Sequence, residues 1–422
     1  MPKLNYDDFD LHIWKEGDRC MAEVTASPAG ASERAVVVWP FGNEPNEVIL
    51  LRLENAVLKG RGYRALVSPE EKILREFGTD VFGAVFRDTA AVADKFRISL
   101  EMTRKKDFGL RLNLRLDPPE LAMLPWEYVF DDSHQTSDYV CLKPRSPVIR
   151  YLGRSAGPKS ITVDGPLRVL GMIANPRGEW PEIDAEAEKR RIDDMLAEAQ
   201  APDEDGGVRS PIHFRWVRGG TQDNLFDLMQ SGNWHVFHFI GHGGTQRYVD
   251  ERGVYRSEGF VVMEDGVGGA VQVSGSELGT TLEDGNVSLA VLNCCESGKG
   301  GGFSSVGATL VKASVPTAIA MQFPITDKAA TRFSTSFYRS LTAGQPIEQA
   351  LTAARRFVRF NSNVEWGIPV LFSREGSCVH FAFSHKAGVQ ALEIPSSPVP
   401  LDAPALLSPA REELKRLWER RS

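Results

Sequence analysis

No apolar run in the chain approaches the roughly 18 residues that a membrane-spanning helix needs. The start, Met-Pro-Lys-Leu-Asn-Tyr, has no basic segment followed by an apolar one. A cytoplasmic protein without a membrane role is therefore expected. Cysteine is scarce: five residues, at positions 20, 141, 294, 295 and 378, are too few and odd in number for a disulfide framework. No cysteine or histidine spacing suggests zinc, no G-x-x-x-x-G-K-[ST] loop offers a nucleotide cradle, and no 20–50-residue repeat is visible. Neither a metal nor a cofactor is expected. Positive charge is in deficit, with 49 Lys and Arg against 56 Asp and Glu, a formal net charge of −7. That balance gives no reason to expect direct nucleic-acid binding.

What remains is the composition of a globular protein, 42% hydrophobic and 25% charged over 422 residues, enough chain for two or three domains. From about residue 9 to 58 the pattern alternates as in antiparallel strands. Leu11–Trp14 and Cys20–Thr25 flank a Lys-Glu-Gly-Asp hairpin turn, and Arg34–Phe41 and Glu47–Leu53 supply two further strands. Ser68-Pro-Glu-Glu opens a helix that runs to Phe86. Strands resume at Phe96–Met102 and Leu110–Leu116; in the second, leucines alternate with Arg111, Asn113 and Arg115, which predicts one buried face and one wet face. A short helix packing Trp126 and a last pair of strands end an α+β domain spanning residues 1–155, followed by a small, polar linker.

Beyond the linker, strand and helix alternate: a strand at Leu167–Ala174, a helix at Glu182–Ala199, a strand at Ile212–Val217 and a helix capped by Thr221. This order predicts a mostly parallel sheet with right-handed crossovers. Thr317–Met321, Asp327–Leu341, Ile347–Phe360, Ile368–Phe372 and Val379–Phe383 complete an α/β domain over 165–385. Residues 386–422 form a Pro-rich linker and an amphipathic helix carrying Leu414, Leu417 and Trp418, which suits docking on this chain or a partner.

Two stretches of the second domain carry the chemistry. Trp234-His-Val-Phe-His-Phe-Ile-Gly-His-Gly-Gly and Val287-Ser-Leu-Ala-Val-Leu-Asn-Cys-Cys-Glu-Ser-Gly are apolar runs suited to strands buried on both faces. Each runs out into a Gly-flanked loop holding a reactive side chain, His242 in one and Cys295 in the other. Parallel sheets place their chemistry at the carboxyl ends of strands. An imidazole near a thiol is what a cysteine nucleophile requires. The two are 53 residues apart (295 − 242), near the roughly 50 between histidine and downstream cysteine in caspases. Flanking glycines suggest an exposed His242 rather than a core histidine. His235 and His238 read as hydrogen-bonded core residues, Cys294 as core, Glu296 as a loop-orienting or solvated group, and Arg355-Arg356 as a solvated helix face.

The motifs His238-Phe-Ile-Gly-His-Gly and Leu292-Asn-Cys-Cys-Glu-Ser-Gly, with Gln322-Phe-Pro-Ile-Thr-Asp further on, resemble the CHAT family of caspase- and separase-like cysteine proteases. Pro119-Glu-Leu-Ala-Met-Leu-Pro-Trp-Glu resembles the module often found ahead of CHAT domains in bacterial proteins. The resemblance implies a caspase-like three-layer sandwich with a mostly parallel central sheet behind the α+β N-terminal domain. It implies Cys295 as nucleophile, His242 as catalytic imidazole, and an oxyanion hole from the backbone amides of Gly243 and Cys295. Asp327 becomes the candidate S1 acid for a basic P1 residue, with a helix N-cap as its bland alternative. Phe323 stands where the family commonly has tryptophan. A protein or peptide substrate in bacterial defence or regulated death, a gasdermin-like target included, is the implied context, with an activating partner reached through the N-terminal domain or the C-terminal helix. A catalytically silent CHAT-fold scaffold is the rival, and a thiol acyl transferase on small molecules a further one.

Overall fold

The computed structural model describes residues 3–42, 44–66, 68–117, 119–133, 137–152, 160–180, 182–200, 212–249, 251, 255–294, 304–374 and 378–384. One compact unit spans Met1–Ala387; Gly388–Ser422 forms a second unit. The expected C-terminal helix lies outside the described residues.

In chain order the first elements are β1 (Tyr6–Glu16), β2 (Arg19–Ala26), β3 (Ala35–Val37), α1 (Asn46–Gly60), α2 (Pro69–Phe82), α3 (Ala90–Lys105) and β4 (Gly109–Leu116). There follow α4 (Pro119–Ala122), β5 (Phe130–Asp131), β6 (Asp138–Tyr139) and β7 (Val148–Tyr151). The β1–β2 hairpin turns at Gly17, whose φ of +61° suits a residue without a Cβ. Ser68 caps α2 by accepting from the Glu71 amide, with Pro at the first turn.

Two expected strands are helical. The Glu47–Leu53 segment lies within α1, where Ile49, Leu53, Ala56, Val57 and Gly60 are buried at helical spacing. The Phe96–Met102 segment lies within α3, with Val92, Phe96, Ser99 and Thr103 buried. The wet face expected of β4 is reduced to Arg115, which is exposed; Arg111 and Asn113 are buried. Arg111 donates to Asp8 at 2.6 Å and Glu348 at 2.5 Å, and Asn113 donates to Asp10 at 2.7 Å, so the polar face is covered and paired rather than solvated.

The chain continues through β8 (Ser160–Val163), β9 (Leu167–Ile173), α5 (Ala185–Gln200), β10 (Ile212–Trp216), α6 (Gln222–Ser231), β11 (Val236–Val249), β12 (Tyr255–Glu264), β13 (Ala270–Ser274), α7 (Gly275–Asp284) and β14 (Leu289–Cys294). Last come α8 (Ser304–Ala313), β15 (Thr317–Met321), α9 (Asp327–Thr342), α10 (Ile347–Arg359), β16 (Pro369–Ser373) and β17 (His380–Phe383).

Thirteen of these strands form a large, mostly parallel central sheet in the order β10-β9-β11-β14-β15-β16-β7-β4-β1-β2-β3, with β12 and β13 added off β11 and helices flanking it, while β5 pairs with β6 and β8 with β17 in two small sheets. The segments on either side of residue 155 are joined through parallel pairing of β16 with β7, Phe372 opposite Arg150. A buried network crosses that seam. Arg150 of β7 donates to both carboxylate oxygens of Glu127, at 3.2 and 2.6 Å, and to Gln322 at 3.1 Å, while Gln322 donates to Glu127 at 3.0 Å. Arg355, expected as solvated, is 1% exposed and donates to the Pro369 carbonyl at 2.6 Å; its neighbour Arg356 is exposed.

Candidate active site

The histidine stretch does not end in a loop. Its first part, Val236–Gly241, pairs in parallel with β14 and, to Ile240, with β9. From His242 to Val249 the same strand pairs antiparallel with β12 instead. His242 is thus the residue at which β11 leaves the central sheet, beside glycines that let the backbone change direction. Gly243 sits opposite Val261 within this paired extension.

Register fixes the neighbour of that point. Gly241 lies opposite Cys294, the last described residue of β14. Cys295 lies outside the described residues, as does Glu296. Of the other cysteines, Cys20, Cys141 and Cys378 are buried. Burial raises the Cys20 thiol to about 11 and Cys141 to about 12, and pushes Cys378 well above its ordinary value, so none of the three is a ready thiolate.

Alternation along a strand puts His238, Ile240 and His242 on one face, and the parallel register puts Val291 and Asn293 on the same face. That face is covered by α5 and α9. His238 is fully buried and meets Tyr338 of α9, Nδ1 to Oη at 2.9 Å; burial lowers it to about 4, a neutral core residue as expected. His235 is likewise lowered to about 4, by burial and then by Arg168, and its Nδ1 accepts from the Arg168 amide at 3.0 Å.

His242 is not exposed as expected: it is 1% exposed and stacked on Trp180, ring centroids 5.4 Å apart at 22°. Trp180 belongs to the segment between β9 and α5. Asn175 shapes this segment through a two-way side-chain clasp on Ile183, and its amide donates to Glu264 of β12 at 3.1 Å.

Asp327 is the first residue of α9 and not its cap. Thr326 is the N-cap, accepting from the Ala329 amide, and is itself held by Glu365, which accepts from the Thr326 amide at 2.8 Å and hydroxyl at 2.7 Å. The Asp327 carboxylate meets Arg191 of α5 at 3.0 Å, and Arg191 also pairs with Glu188. Glu188, Arg191, Asp327 and Asn293 line one cleft between α5 and α9. Sequence reasoning named His242 and Asp327 but not Trp180, Arg191 or Glu365, each of which meets a residue remote in the chain, nor Glu188. Glu188 and Arg191, three residues apart on a helix with Glu186 and Glu188 in its first turn, carried a local signal. Among the described residues no group of three or more His, Cys, Asp or Glu side chains could hold a metal, and no helix is long and apolar enough to cross a membrane.

The CHAT domain family model matches residues 92–391. The chain belongs to the CHAT domain family. Among solved structures, it is similar to the Saccharomyces cerevisiae separase in its complex with securin, at 11% identity and a TM-score of 0.44, covering 90% of this chain and 30% of that one. It is also similar to the Drosophila initiator caspase Dronc, at 14% identity and a TM-score of 0.30, covering 56% of this chain and 96% of that one. A Geobacter sulfurreducens protein matches at 15% identity and a TM-score of 0.28, covering 52% and 94%. No curated protein matches the chain.

Proposed function

We propose that this CHAT protein is a cysteine endopeptidase that hydrolyses peptide bonds in a protein substrate through Cys295 and His242. One observation carries the reading. Gly241 and Cys294 are opposite one another on adjacent parallel strands roughly 5 Å apart, and His242 and Cys295 are the residues that follow them in the chain. Asn293 lies on the face His242 shares, and Cys295 follows it by two.

In the proposed reaction the Cys295 thiolate attacks the scissile carbonyl carbon, and the amides of Gly243 and Cys295 receive the oxyanion, worth roughly 3–4 kcal/mol for a donor of this kind. The C–N bond breaks as imidazolium His242 gives its proton to the leaving amine. Water, deprotonated by His242, then hydrolyses the thioester and returns the thiol. Asp327 is the acid that selects a basic P1 residue. His242 is buried and stacked on Trp180, so in this reading the ring must become accessible before a substrate is cleaved. In this reading the substrate is an effector of bacterial defence or regulated death, and an activating partner acts through the N-terminal half or the C-terminal tail.

The burial of His242 favours the second reading, a silent scaffold that kept the fold. A fluorogenic peptide panel with Arg, Lys, Leu, Met and Asp at P1, run on wild type, Cys295→Ala and His242→Ala, separates the two. Turnover by wild type that falls at least about a thousandfold in either variant is expected. Equal signal from all three proteins on every substrate and on self-cleavage leaves the scaffold.

A further inference from the structure

A cleft of about 580 Å³ opens at the amino end of the parallel strands, away from His242. Arg168 near the start of β9, His235 just before β11, Ser288 just before β14 and Pro316 just before β15 line it. Arg374 directly follows the antiparallel β16 at the same end, its amide donating to the Pro316 carbonyl at 3.1 Å. The small sheet of β8 and β17 contributes a wall through Ile161 and Thr162. The pair Gly241 and Cys294 lies five residues further along β11 and β14 than Val236 and Leu289, roughly 16 Å at about 3.3 Å per residue. The cleft is therefore separate from the proposed catalytic residues.

Two cations line this cleft without an acid to match them. The Nε of Arg168 is buried with no acceptor, and its Nη2 makes only a long contact, 3.5 Å, with Nε2 of His235. Arg374 donates through Nε to the Val311 carbonyl at 2.9 Å, in the last turn of α8, and its Nη2 is buried with no acceptor. Among the described residues no carboxylate pairs with either; Glu283, the one acidic side chain lining the cleft, is exposed and bonds neither. Arg111 and Arg150 show the alternative, each matched by carboxylates. A buried N–H left unmatched is rare and expects an acceptor, and a charge drawn out of water expects a counter-charge.

We propose that this cleft binds a small organic molecule carrying two oxyanion groups, phosphate or carboxylate, at the ends of a polar body. The planar guanidinium fork matches either group. Strand spacing sets the separation. The head of Arg168 stands beside His235 at the start of β11, and Arg374 is fastened at β15 and the end of α8, two strand spacings of about 4.8 Å or roughly 10 Å away. That span favours two anionic groups over one. The lining between them includes hydrogen-bonding side chains, Asn233, Asn286 and Ser288, and the volume falls in the range of roughly 300–1,000 Å³ typical of a site for a whole small ligand. The occupant is distinct from the proposed peptide substrate, and its binding does not depend on peptidase activity.

The test uses the full chain with fructose 1,6-bisphosphate, a polyol with a phosphate at each end, and glucarate, a polyol with a carboxylate at each end. Calorimetry should show at least one of them binding at least about tenfold tighter than its one-anion counterpart, fructose 6-phosphate or gluconate, the size of one charge-assisted hydrogen bond or more. Which dianion binds tighter tells phosphate from carboxylate, and fructose should not bind. Arg168→Gln and Arg374→Gln should each weaken binding at least about tenfold and together abolish it. Should either variant melt early, hydrogen exchange on the unsubstituted protein decides. The bound dianion should slow exchange in peptides from β8 and from the first residues of β9 and β11, and leave β2 and β3 unchanged. Binding of neither dianion, equal binding of the one-anion compounds, full affinity in both variants, or protection confined to other segments overturns the proposal.

Discussion

Glu127→Gln is the substitution that asks most of this fold. Glu127 and Arg150 are 1% and 2% exposed. The carboxylate accepts twice from Arg150 and once from Gln322, and Gln322 also donates to the Gly367 carbonyl at 2.8 Å. The amide keeps the shape but strands the guanidinium charge and turns an NH2 toward its donors. Removing one partner of a buried ion pair costs about 3–5 kcal/mol. With a urea dependence of about 3 kcal/mol per molar, the upper end for small proteins, the midpoint should fall by roughly 1–1.7 M. Arg150 lies on the seam strand β7, so the loss should appear together in β1 and β4 and in β14 and β15, read as hydrogen-exchange protection of peptides from each. As a control, Arg97→Ala removes an exposed helix pair with Glu101 and should cost under about 1 kcal/mol. A shift below about 0.3 M, or exchange confined to the residues before 155, would refute a shared buried lock across the seam.

Three further outcomes follow from the geometry. His238 and His235 both fall from the usual 6.5 to about 4, so between those values the unfolded chain binds protons the folded chain refuses. Their stabilisation is complete above about pH 6.5 and lost as pH falls toward 4, up to roughly 3 kcal/mol for each; His238→Gln should flatten that limb of the pH–stability curve, and parallel curves would sink the assignment. Gly78 of α2 packs so close to the Tyr128 carbonyl that an added Cβ would lie 1.8 Å from it; Gly78→Ala should cost at least about 2 kcal/mol in thermal melts despite alanine's better helix propensity, and a neutral result would mean that the backbone yields. Ser274 caps α7 in a reciprocal arrangement with Glu277, and Ser274→Ala should cost about 1 kcal/mol, seen as faster amide exchange in the first turn of α7.

The parallel order of the second half was legible because its central strands β9, β14 and β15 are short, largely apolar runs separated by helical spacing, a pattern that survives in a single window. The two missed helices were not. Glu47–Leu53 holds Val48, Ile49, Leu50 and Leu51 in a row, and over seven residues such a run satisfies period 2 and period 3.6 equally. The helical period emerges only when Ala56, Val57 and Gly60 are included. On β4, charge was taken as a sign of solvent. Arg111 is buried because Asp8 and Glu348, 103 and 237 residues away, complete it, and no local pattern announces that. His242 shows the same limit: flanking glycines describe its backbone freedom, while the ring stacked on it, Trp180, lies 62 residues earlier (242 − 180).

The same remoteness explains how the candidate S1 acid is held. Asp327 begins α9 at the end of the segment that starts with Gln322, and both ends of that segment are fastened by buried carboxylates shared with the first part of the chain. Gln322 is held by Glu127. Thr326 is held by Glu365, whose other carboxylate oxygen accepts from the Gly62 amide at 2.9 Å, just past the end of α1. Both clamps are buried, with Glu127 and Glu365 each 1% exposed, so neither relaxes cheaply into water. The position of Asp327 is therefore set as much by residues 62 and 127 as by the strand and helix that flank it. A change at the α1–α2 connection therefore bears on the start of α9 through Glu365, which bridges the Gly62 and Thr326 amides.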